Sequence, residues 1–221
     1  MKKYIDLSHT IDNGLKTYKG LPAPVICDYY SREDSKKNYA DGSEFQIARI
    51  DMVANTGTYI DCPFHRFEHG EDFNQIKLDR LVNIDAVCIR HDYRNSLEIP
   101  LDSVQGIDLR AKAVLFNTSW SKHWNTDAYY ENHPYVSTEL ASYLMEQEVK
   151  LVGIDSHNID DTRFGMRPVH TILLEAGILI VEHLCNLNAL PDSGFHFSAV
   201  PPKICGVGSF PVRAMATIGH I

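Results

Sequence analysis

The apolar residues of this chain occur in short runs that polar segments separate. Ile84–Arg90 and Ala113–Asn117 are largely apolar, which is typical of buried strands. Residues 4–8 predict a short strand before a polar loop, and residues 45–53 alternate well enough to predict another strand. Residues 31–43 are polar and of mixed charge, which predicts an exposed, mobile insertion. The first half of the chain is therefore expected to be rich in strands.

Residues 137–150 carry the clearest helical pattern in the chain. Ser137 can cap this helix, Glu139 lies in the first turn where the helix dipole favours a negative charge, and Lys150 closes the helix. The side chains predicted to form its buried stripe are Leu140, Ala141, Leu144 and Met145.

The second half of the chain alternates between strand and helix patterns. Leu151–Ile154 predicts a strand. Residues 170–176 predict a short helix with Gly177 as its C-terminal stop, and residues 178–181 predict the next strand. No repeat, low-complexity tract or linker divides the sequence, so one domain over residues 1–221 is expected. The predicted fold class is α/β, with mixed β-sheets and flanking helices.

The charge balance argues against one class of partner. The chain has 21 Lys and Arg residues and 29 Asp and Glu residues, and its net charge is −8. Nucleic-acid-binding proteins usually carry a basic stripe, and we find none, so no nucleic-acid partner is expected. No stretch approaches the ~20 apolar residues of a membrane span, and no apolar run of signal-peptide length follows the N-terminus. We therefore expect a cytoplasmic protein without a membrane partner.

The cysteines are interpreted as reduced thiols. They are odd in number, scattered and without a CxxC pair, as is common in cytosolic proteins. Cys62 lies within the segment that carries the candidate chemistry, so a nucleophilic role is the alternative interpretation for this residue. The cysteines are Cys27, Cys62, Cys88, Cys185 and Cys205.

Residues 55–65, NTGTYIDCPFH, combine the residue types of a metal or acid–base site. Gly57 lets the backbone turn tightly and approach a ligand closely. Asp61 adds a carboxylate, His65 adds an imidazole, and Pro63 between them stiffens the loop. A carboxylate and an imidazole suit a divalent metal, and histidine also suits general base catalysis near neutral pH. Alone, such a pair is also typical of a polar turn whose Asp caps a backbone amide.

The same segment resembles the H-x-G-T-H-x-D-x-P-x-H signature of the cyclase family, the metal-dependent amidohydrolases that include kynurenine formamidase and isatin hydrolase. The opening IDLSHTIDNGLKTYKGLPAP is similar to the first strand and loop of that family. Residues 150–160, KLVGIDSHNID, resemble its strand after the long helix. Residues 168–184, PVHTILLEAGILIVEHL, and the closing VPPKICGVGSFPVRAMA resemble two further blocks. The resemblance thus extends over the whole chain.

This resemblance implies a fold and a set of site residues. The fold is the cyclase-like swivelling β/β/α arrangement. The implied metal ligands are Asp61, His170 and Glu182, and His65 matches the general acid/base of the family. The spacing agrees, because a helix that packs back on its own sheet can bring a helix start and the end of the next strand to one face. The residues expected to contact substrate are Tyr18, Phe64 and Trp120.

Two signature positions differ from the family pattern. Asn55 and Tyr59 stand where the family has histidines that hold one metal together with the motif aspartate. Their amide and phenol oxygens are expected to be only weak additional ligands, and such oxygens favour Mg²⁺, Mn²⁺ or Ca²⁺ over Zn²⁺. The other half of the site is intact. One divalent metal ion (Mn²⁺, Zn²⁺ or Mg²⁺) is therefore expected rather than two.

Two functions from different classes follow. The first is a metal-dependent hydrolase of a small cyclic or N-acyl amide, or of a lactone, with a metal-activated water and His65 as general acid/base. The second is a non-catalytic relative that keeps the pocket as a small-molecule binding or regulatory module. The replacement of two signature histidines is what the loss of metal-dependent catalysis would produce. The expected partner is a small-molecule substrate, and the resemblance also implies a homo-oligomer, either a dimer or a tetramer.

Overall fold

Nine strands in the described part of the chain, residues 1–16, 18 and 20–219, form one mixed sheet in the computed structural model. The strands are β1 (Lys3–Asp6), β2 (Val25–Tyr30), β3 (Ile47–Asp51), β4 (Tyr59–Asp61), β5 (Ile84–Arg90), β6 (Glu98–Ile99), β7 (Ala113–Asn117), β8 (Tyr135–Val136), β9 (Leu151–Ile154), β10 (Leu179–Glu182), β11 (Phe195–Ser198), β12 (Ser209–Pro211) and β13 (Met215–Ile218). The helices are α1 (Arg32–Ser35), α2 (Thr138–Glu146) and α3 (Pro168–Glu175). Short 3-10 helices lie at Lys36–Asn38, Pro63–His65, Leu78–Arg80, Leu101–Val104, Trp120–His123, Asp127–Tyr130 and Leu187–Ala189.

The large sheet has the order β1-β13-β11-β5-β7-β9-β10-β4-β12. Its centre, from β5 through β7 and β9 to β10, is parallel. The flanking pairs are antiparallel, and β1 pairs with β13, so strands from the two ends of the chain form one edge together. Two small two-stranded sheets consist of β2 with β3 and of β6 with β8. This arrangement confirms the predicted fold class, a mixed α/β architecture with flanking helices.

Both faces of the central strands are covered. In β7, Val114 and Phe116 pack into the apolar cluster that includes α2 and α3, whereas Leu115 packs into a second cluster. Successive side chains of a strand point to opposite faces, so a strand covered on both faces needs apolar residues at every position. This explains why β5, β7 and β9 are largely apolar runs in the sequence, and their predicted bounds are confirmed.

Helix α2 begins as predicted but ends early. The Ser137 hydroxyl caps it by accepting the N–H of Leu140 at 3.1 Å. The helix ends at Glu146, before the predicted end at residue 150, because Glu148 adopts a left-handed φ of +53°. Met145 is 40% exposed, so its prediction as part of the buried stripe is wrong. The buried side chains of the helix are Leu140, Ala141 and Leu144.

Helix α3 starts slightly before its predicted position. Pro168 occupies its first turn, where the missing N–H has no helical partner to lose. Gly177 has a φ of +75° and ends the helix as predicted. The following strand, β10, runs to Glu182 and carries that carboxylate to the end of the sheet. The order of helix and strand that the sequence predicts here is confirmed.

The first half of the chain departs most from expectation. Strand β3 fills only part of the predicted range 45–53, and it is exposed along its whole length because its partner is β2 rather than the large sheet. Residues 31–43 are largely exposed, as predicted, yet they contain α1 and the 3-10 turn Lys36–Asn38. No helix among the described residues is long and apolar enough to cross a bilayer.

Candidate metal centre

Strand β4 carries the signature segment into the sheet. Before it, Gly57 has a φ of +68°, a left-handed conformation that favours glycine and makes the predicted tight turn. Tyr59 lies opposite Glu182 of β10, and Asp61 lies opposite Ser209 of β12. Residues directly opposite each other in antiparallel strands share a face of the sheet. The strand register therefore pairs the signature residues with Glu182 and Ser209.

His170 lies in the first turn of α3, where Asp160 fixes it. The carboxylate of Asp160 accepts the N–H of His170 at 3.0 Å and the N–H of Val169 at 2.7 Å. These are N–H groups that a helix start leaves without a helical partner. Asp160 Oδ2 also lies 2.6 Å from His170 Nδ1, so the ring presents Nε2 to the site. A carboxylate behind a metal-binding histidine orients the ring and raises its basicity.

The Nε2 atom of His170 faces two further carboxylates. It lies 3.8 Å from Asp61 Oδ2 and 3.7 Å from Glu182 Oε1. Burial acts to lower the pKa of His170, but the hydrogen bond to Asp160 and the negative charges of Asp61 and Glu182 outweigh it and raise the pKa to about 10. Burial raises the pKa of Glu182 as well. A proton on His170 thus occupies the place between these groups that a cation would take.

His65 is connected to Asp61 through Ser209. The Ser209 hydroxyl donates to Asp61 Oδ1, and its oxygen lies 2.7 Å from His65 Nδ1. A hydroxyl has only one proton, and this one goes to the carboxylate, so the oxygen accepts the Nδ1–H of His65. The hydrogen-bond network therefore assigns the tautomer with a free lone pair on Nε2. The His65 side chain is 34% exposed, so it can reach a ligand.

The donor set fits a divalent metal ion. Asp61 Oδ2 is buried and has no hydrogen-bond partner in the described residues. Such an oxygen is unfavourable unless a cation faces it. Ligand atoms of Asp61, His65 and His170 all lie within 4.8 Å of one another. Ligands about 2.1 Å from a metal are about 3 to 3.5 Å apart, which is close to the 3.7 and 3.8 Å from His170 Nε2 to Glu182 and Asp61.

Tyr59 occupies the second oxygen of Glu182. Its hydroxyl donates to Glu182 Oε2, and Asn158 Nδ2 lies 3.4 Å from the same oxygen. Burial and the charges of Glu182 and Asp61 raise the pKa of Tyr59 well above its usual value, so the phenol keeps its proton. The Asn55 side chain hydrogen-bonds Tyr59 in turn. The two residues predicted as weak metal ligands are thus parts of a hydrogen-bond network that ends on Glu182.

A pocket of about 380 Å³ opens over these groups. Tyr18, a predicted substrate contact, lies in its wall with its ring centroid 4.8 Å from that of His157. Both apolar and polar side chains line the pocket, as in many small-molecule sites. The lining residues are Tyr18, Gly20, Leu21, Asn55, Tyr59, His65, Arg66, Asn158, Arg167 and His170.

Phe64 and Trp120 are not among the described residues that line this pocket, so their role as substrate contacts stays a prediction. The Phe64 side chain packs against the apolar core. Trp120 is 6% exposed, and its indole N–H donates to the carbonyl of Tyr129 at 3.0 Å.

Behind Tyr59 lies a group of rings that we call the aromatic cluster. The ring of His183 lies 5.1 Å from that of Tyr59 and 5.8 Å from that of His157. Burial lowers the pKa of His183 to about 3, of His157 to about 2 and of His9 to about 4, so these imidazoles are neutral at pH 7. Its members are His9, Trp124, Tyr129, His157 and His183.

Cys62 is a buried thiol rather than a nucleophile. Burial raises its pKa to about 12, so the reactive thiolate is scarce at neutral pH. Its sulfur lies 3.8 Å from the carbonyl of Val207, as a weak hydrogen-bond donor would. The five cysteines are free, in agreement with their interpretation as reduced thiols.

Asp160, Asn158 and Ser209 belong to the site, although the sequence did not single them out. Asp160 ends the block of residues 150–160 and Ser209 lies in the closing block, so the family resemblance covers both. Their roles depend on contacts between distant parts of the chain, which the residue types alone do not predict. Gly208 makes one of these contacts possible, because a Cβ there would lie 2.3 Å from the backbone nitrogen of His65.

Known proteins are similar to this chain over its whole length. Kynurenine formamidase from Geobacillus thermodenitrificans is 29% identical over 216 residues, with 97% of each chain covered. Kynurenine formamidase from Bacillus cereus is 26% identical over 214 residues, with 96% of each chain covered. These alignments span the signature segment and the blocks that supply His170 and Glu182.

Similar structures have the same fold. A potential metal-dependent hydrolase with cyclase activity is 27% identical, covers 100% of both chains and has a TM-score of 0.79. Isatin hydrolase A from Ralstonia solanacearum is 23% identical, with a TM-score of 0.84 over 99% of this chain and 92% of that chain. The profile of the Cyclase family matches residues 5–161. Because this match spans well over half of the chain, the protein belongs to the cyclase family.

Proposed function

We propose that this chain is a metal-dependent hydrolase of a small cyclic or N-acyl amide, or of a lactone. The observation that carries the proposal is the buried Asp61 Oδ2, which has no hydrogen-bond partner among the described residues and lies 3.8 Å from His170 Nε2. The names of the relatives, kynurenine formamidase and a potential metal-dependent hydrolase, support this reaction class. The pocket of about 380 Å³ is of a size that suits a small-molecule substrate.

The proposed cofactor is one divalent ion, Mn²⁺, Zn²⁺ or Mg²⁺, with Asp61, His170 and Glu182 as its ligands. When bound, such an ion lowers the pKa of water and polarises a carbonyl group. Asp160 holds the His170 ring so that Nε2 is available as a ligand. A second ion would require Glu182 Oε2, and the hydrogen bond from Tyr59 to that oxygen supports a count of one.

His65 is the proposed general acid/base. Because Ser209 accepts its Nδ1–H, the Nε2 lone pair is free to take a proton from the attacking water. The same nitrogen then returns that proton to the leaving nitrogen or oxygen as the bond to the carbonyl carbon breaks. His65 lies in the pocket wall beside His170, with 6.0 Å between the ring centroids.

A non-catalytic binding or regulatory module is the second candidate. The hydrogen-bond network of Asn55, Tyr59 and Glu182 favours it, because a protein that had given up metal chemistry would also satisfy its carboxylate in this way. Such a protein would bind a small molecule in the pocket without metal-dependent turnover.

We further propose that the chain assembles into a homo-oligomer, a dimer or a tetramer, and resides in the cytoplasm. The ribbon of β2 and β3 supports assembly, because Val25, Tyr29 and Ile50 are 54%, 74% and 57% exposed on it. Light scattering of the purified protein should give a multiple of 25.0 kDa. A mass of one chain at all concentrations would contradict assembly.

The proposed function is tested by metal content and turnover together. Protein purified without added metal is analysed for bound ions, then assayed on N-formyl aromatic amides and lactones with and without Mn²⁺ or Zn²⁺. We expect a bound ion and turnover that chelation removes and added metal restores. Metal-free protein that shows no turnover with any ion would favour the binding module.

His65→Ala separates the role of His65 from that of the metal ligands. We expect this variant to lose turnover while it keeps its metal. His69→Ala changes an exposed histidine of the same segment and serves as the control that should keep both. Loss of the ion from His65→Ala would make His65 a ligand instead, since its nitrogen belongs to the same group as Asp61 and His170.

A further inference from the structure

Two arginines that line the pocket have no carboxylate partner among the described residues. Of the ten arginines in the chain, seven form a salt bridge with a carboxylate among residues 1–16, 18 and 20–219. The other three are Arg49, Arg66 and Arg167. Arg66 and Arg167 both line the pocket, whereas Arg49 lies on β3. Although the net charge of the protein is −8, two guanidinium groups at the pocket therefore have no carboxylate partner among the described residues.

Each of these two guanidinium groups presents a free edge. Arg66 donates its Nε–H to Thr171 Oγ1 at 3.2 Å, and among the described residues its two terminal nitrogens have no hydrogen-bond partner. Arg167 donates from Nη1 to the carbonyls of Phe164 and Met166 at 2.7 Å each and of Asp161 at 3.4 Å, and in the described part of the chain its Nε and Nη2 have no partner. Two adjacent N–H groups on a planar guanidinium match the two oxygens of a carboxylate.

The Thr171 hydroxyl contacts both arginines. It accepts from Arg66 Nε and donates to the backbone carbonyl of Arg167 at 2.8 Å. Arg66 directly follows His65, and Arg167 lies one helical turn before His170. Both arginines line the same pocket as His65 and His170, and the neutral side chains of Tyr18 and Leu21 also line its opening.

We propose that Arg66 and Arg167 bind a carboxylate group of the substrate, so that the pocket selects an amide that carries a negative charge beside the bond to be cleaved. This inference rests on the proposed function for the reaction, but not for the binding of the anion. Thr171 is a positioning residue in this account, because it contacts the arginines rather than the ligand.

A pair of substrates that differ only in the carboxylate tests the proposal. These are 2-formamidobenzoate, which has an ortho carboxylate, and uncharged formanilide. We expect the metal-loaded wild-type protein to prefer 2-formamidobenzoate. Arg66→Gln should lower kcat/KM for this substrate by about 10- to 100-fold, mainly through KM, because hydrogen bonds to charged groups are strong. The same variant should change formanilide hydrolysis by no more than about twofold.

Two further variants make the result specific. Arg167→Lys keeps the positive charge but removes the planar edge, so we expect the same preference to weaken. It also leaves a cation near the loop carbonyls that Arg167 binds, which protects against misfolding. Arg49→Gln removes the third unpaired arginine, which lies outside the pocket lining, and should alter neither substrate. Equal losses on both substrates, or an equal loss in Arg49→Gln, would overturn the proposal.

Binding without turnover separates this proposal from the proposed function. Calorimetry with 2-aminobenzoate and with 2-aminobenzamide measures the contribution of the carboxylate even if no substrate is hydrolysed. We expect 2-aminobenzoate to bind more tightly, and Arg66→Gln to remove most of that difference. Equal binding of the two compounds, or tighter binding of phenyl phosphate than of 2-aminobenzoate, would overturn the assignment of a carboxylate.

Discussion

His170 and His183 are both buried next to Glu182, yet their pKa values shift in opposite directions. Burial opposes a charge on each ring, but carboxylates face His170 and raise its pKa to about 10. His183 packs against Tyr59 and the other rings of the aromatic cluster, and burial lowers its pKa to about 3. The surroundings of His170 therefore favour a positive charge, whereas those of His183 favour the neutral imidazole.

The two carboxylate oxygens of Glu182 also lie in different surroundings. Oε1 accepts the N–H of Ile159 at 2.6 Å and faces His170 Nε2, where a cation can replace the proton. Oε2 accepts the Tyr59 hydroxyl, which leads into the aromatic cluster. Two histidines at positions 55 and 59 would have added metal ligands on the side of Glu182 Oε2. With Asn55 and Tyr59 in their place, only one side retains the donor set of a metal site.

Asp61→Asn should have the largest effect on this comparison. It removes the charge on the unpartnered Oδ2 and with it one of three proposed ligands. We expect loss of bound metal and a fall in turnover of about 1000-fold, since metal catalysis contributes several kcal/mol. Metal analysis and kinetics measure both effects.

A matched control for this variant is Asp155→Asn. Asp155 is also a buried carboxylate, but its Oδ1 accepts the backbone N–H of Thr118 at 2.8 Å and the Thr118 hydroxyl at 2.5 Å. Among the described residues, it belongs neither to the pocket lining nor to the group that could hold a metal. This variant should keep its metal even if its stability falls. Equal metal loss in both variants would mean that general destabilisation, rather than ligation by Asp61, is responsible.

Asp160→Asn should have the next largest effect. Asp160 contacts His170 Nδ1, so its loss should weaken metal binding about 10- to 100-fold, as changes behind a ligating histidine do. Titration of metal-free protein with Mn²⁺ gives the dissociation constant. The exposed Asp192→Asn variant is the control. An unchanged affinity in Asp160→Asn would show that the contact with Nδ1 does not support ligation.

Ser209→Ala should have a smaller effect, confined to catalysis. Without the hydroxyl, His65 loses the acceptor that selects its Nδ1–H tautomer. We expect kcat to fall about tenfold, the scale of one hydrogen bond, with metal content unchanged. The pH profile of kcat should shift as well, and Ser209→Thr, which restores a hydroxyl, should recover most of the rate. A shift of the same size in Ser209→Thr would contradict a role for the hydroxyl.

Acid should destabilise the protein through its neutral buried histidines. Burial lowers the pKa of His133 and His9 to about 4 from the ordinary 6.5. Below 6.5 the unfolded chain binds more protons than the folded protein, so their stabilisation is complete above pH 6.5 and falls as the pH drops towards 4. Asp155, with a pKa that burial raises to about 6, partly offsets this because it takes up a proton in the folded protein.

Urea denaturation with EDTA, at about pH 7.5 and about pH 5.5, measures this slope without metal. His133→Gln should reduce the pH dependence of the free energy of unfolding by up to about 1.4 kcal/mol per pH unit. His69→Gln, at an exposed position, should leave it unchanged. An identical slope in His133→Gln would show that this histidine is already protonated in the folded protein.

The elements that could be predicted from sequence are those in which burial requires an apolar residue at nearly every position. Strands β5, β7 and β9 are covered on both faces, so their largely apolar runs identify them. Met145 was harder to place, because only the early end of α2 decides that its side chain is exposed. Strand β3 alternates like a half-buried strand but pairs with β2 away from the large sheet, which no local pattern reveals.

The candidate site divides in the same way. Asp61, His65, His170 and Glu182 lie in recognisable blocks, and the structure brings them together. Asp160 and Ser209 act through contacts with residues far away in the sequence. Their roles can be recognised only when the positions of α3 and β12 in the structure are known. The roles of Arg66 and Arg167 are still less visible in sequence, since what distinguishes them is the absence of a carboxylate partner among the described residues.

Metal stoichiometry tests the central claim most directly, namely that Glu182 serves one metal because Tyr59 occupies its second oxygen. Metal per chain is measured for the wild-type protein and for the double variant Asn55→His with Tyr59→His, both after saturation with Mn²⁺ and gel filtration. We predict one ion per chain in the wild-type protein and a higher content in the double variant. Two ions in the wild-type protein, or none, would contradict the account.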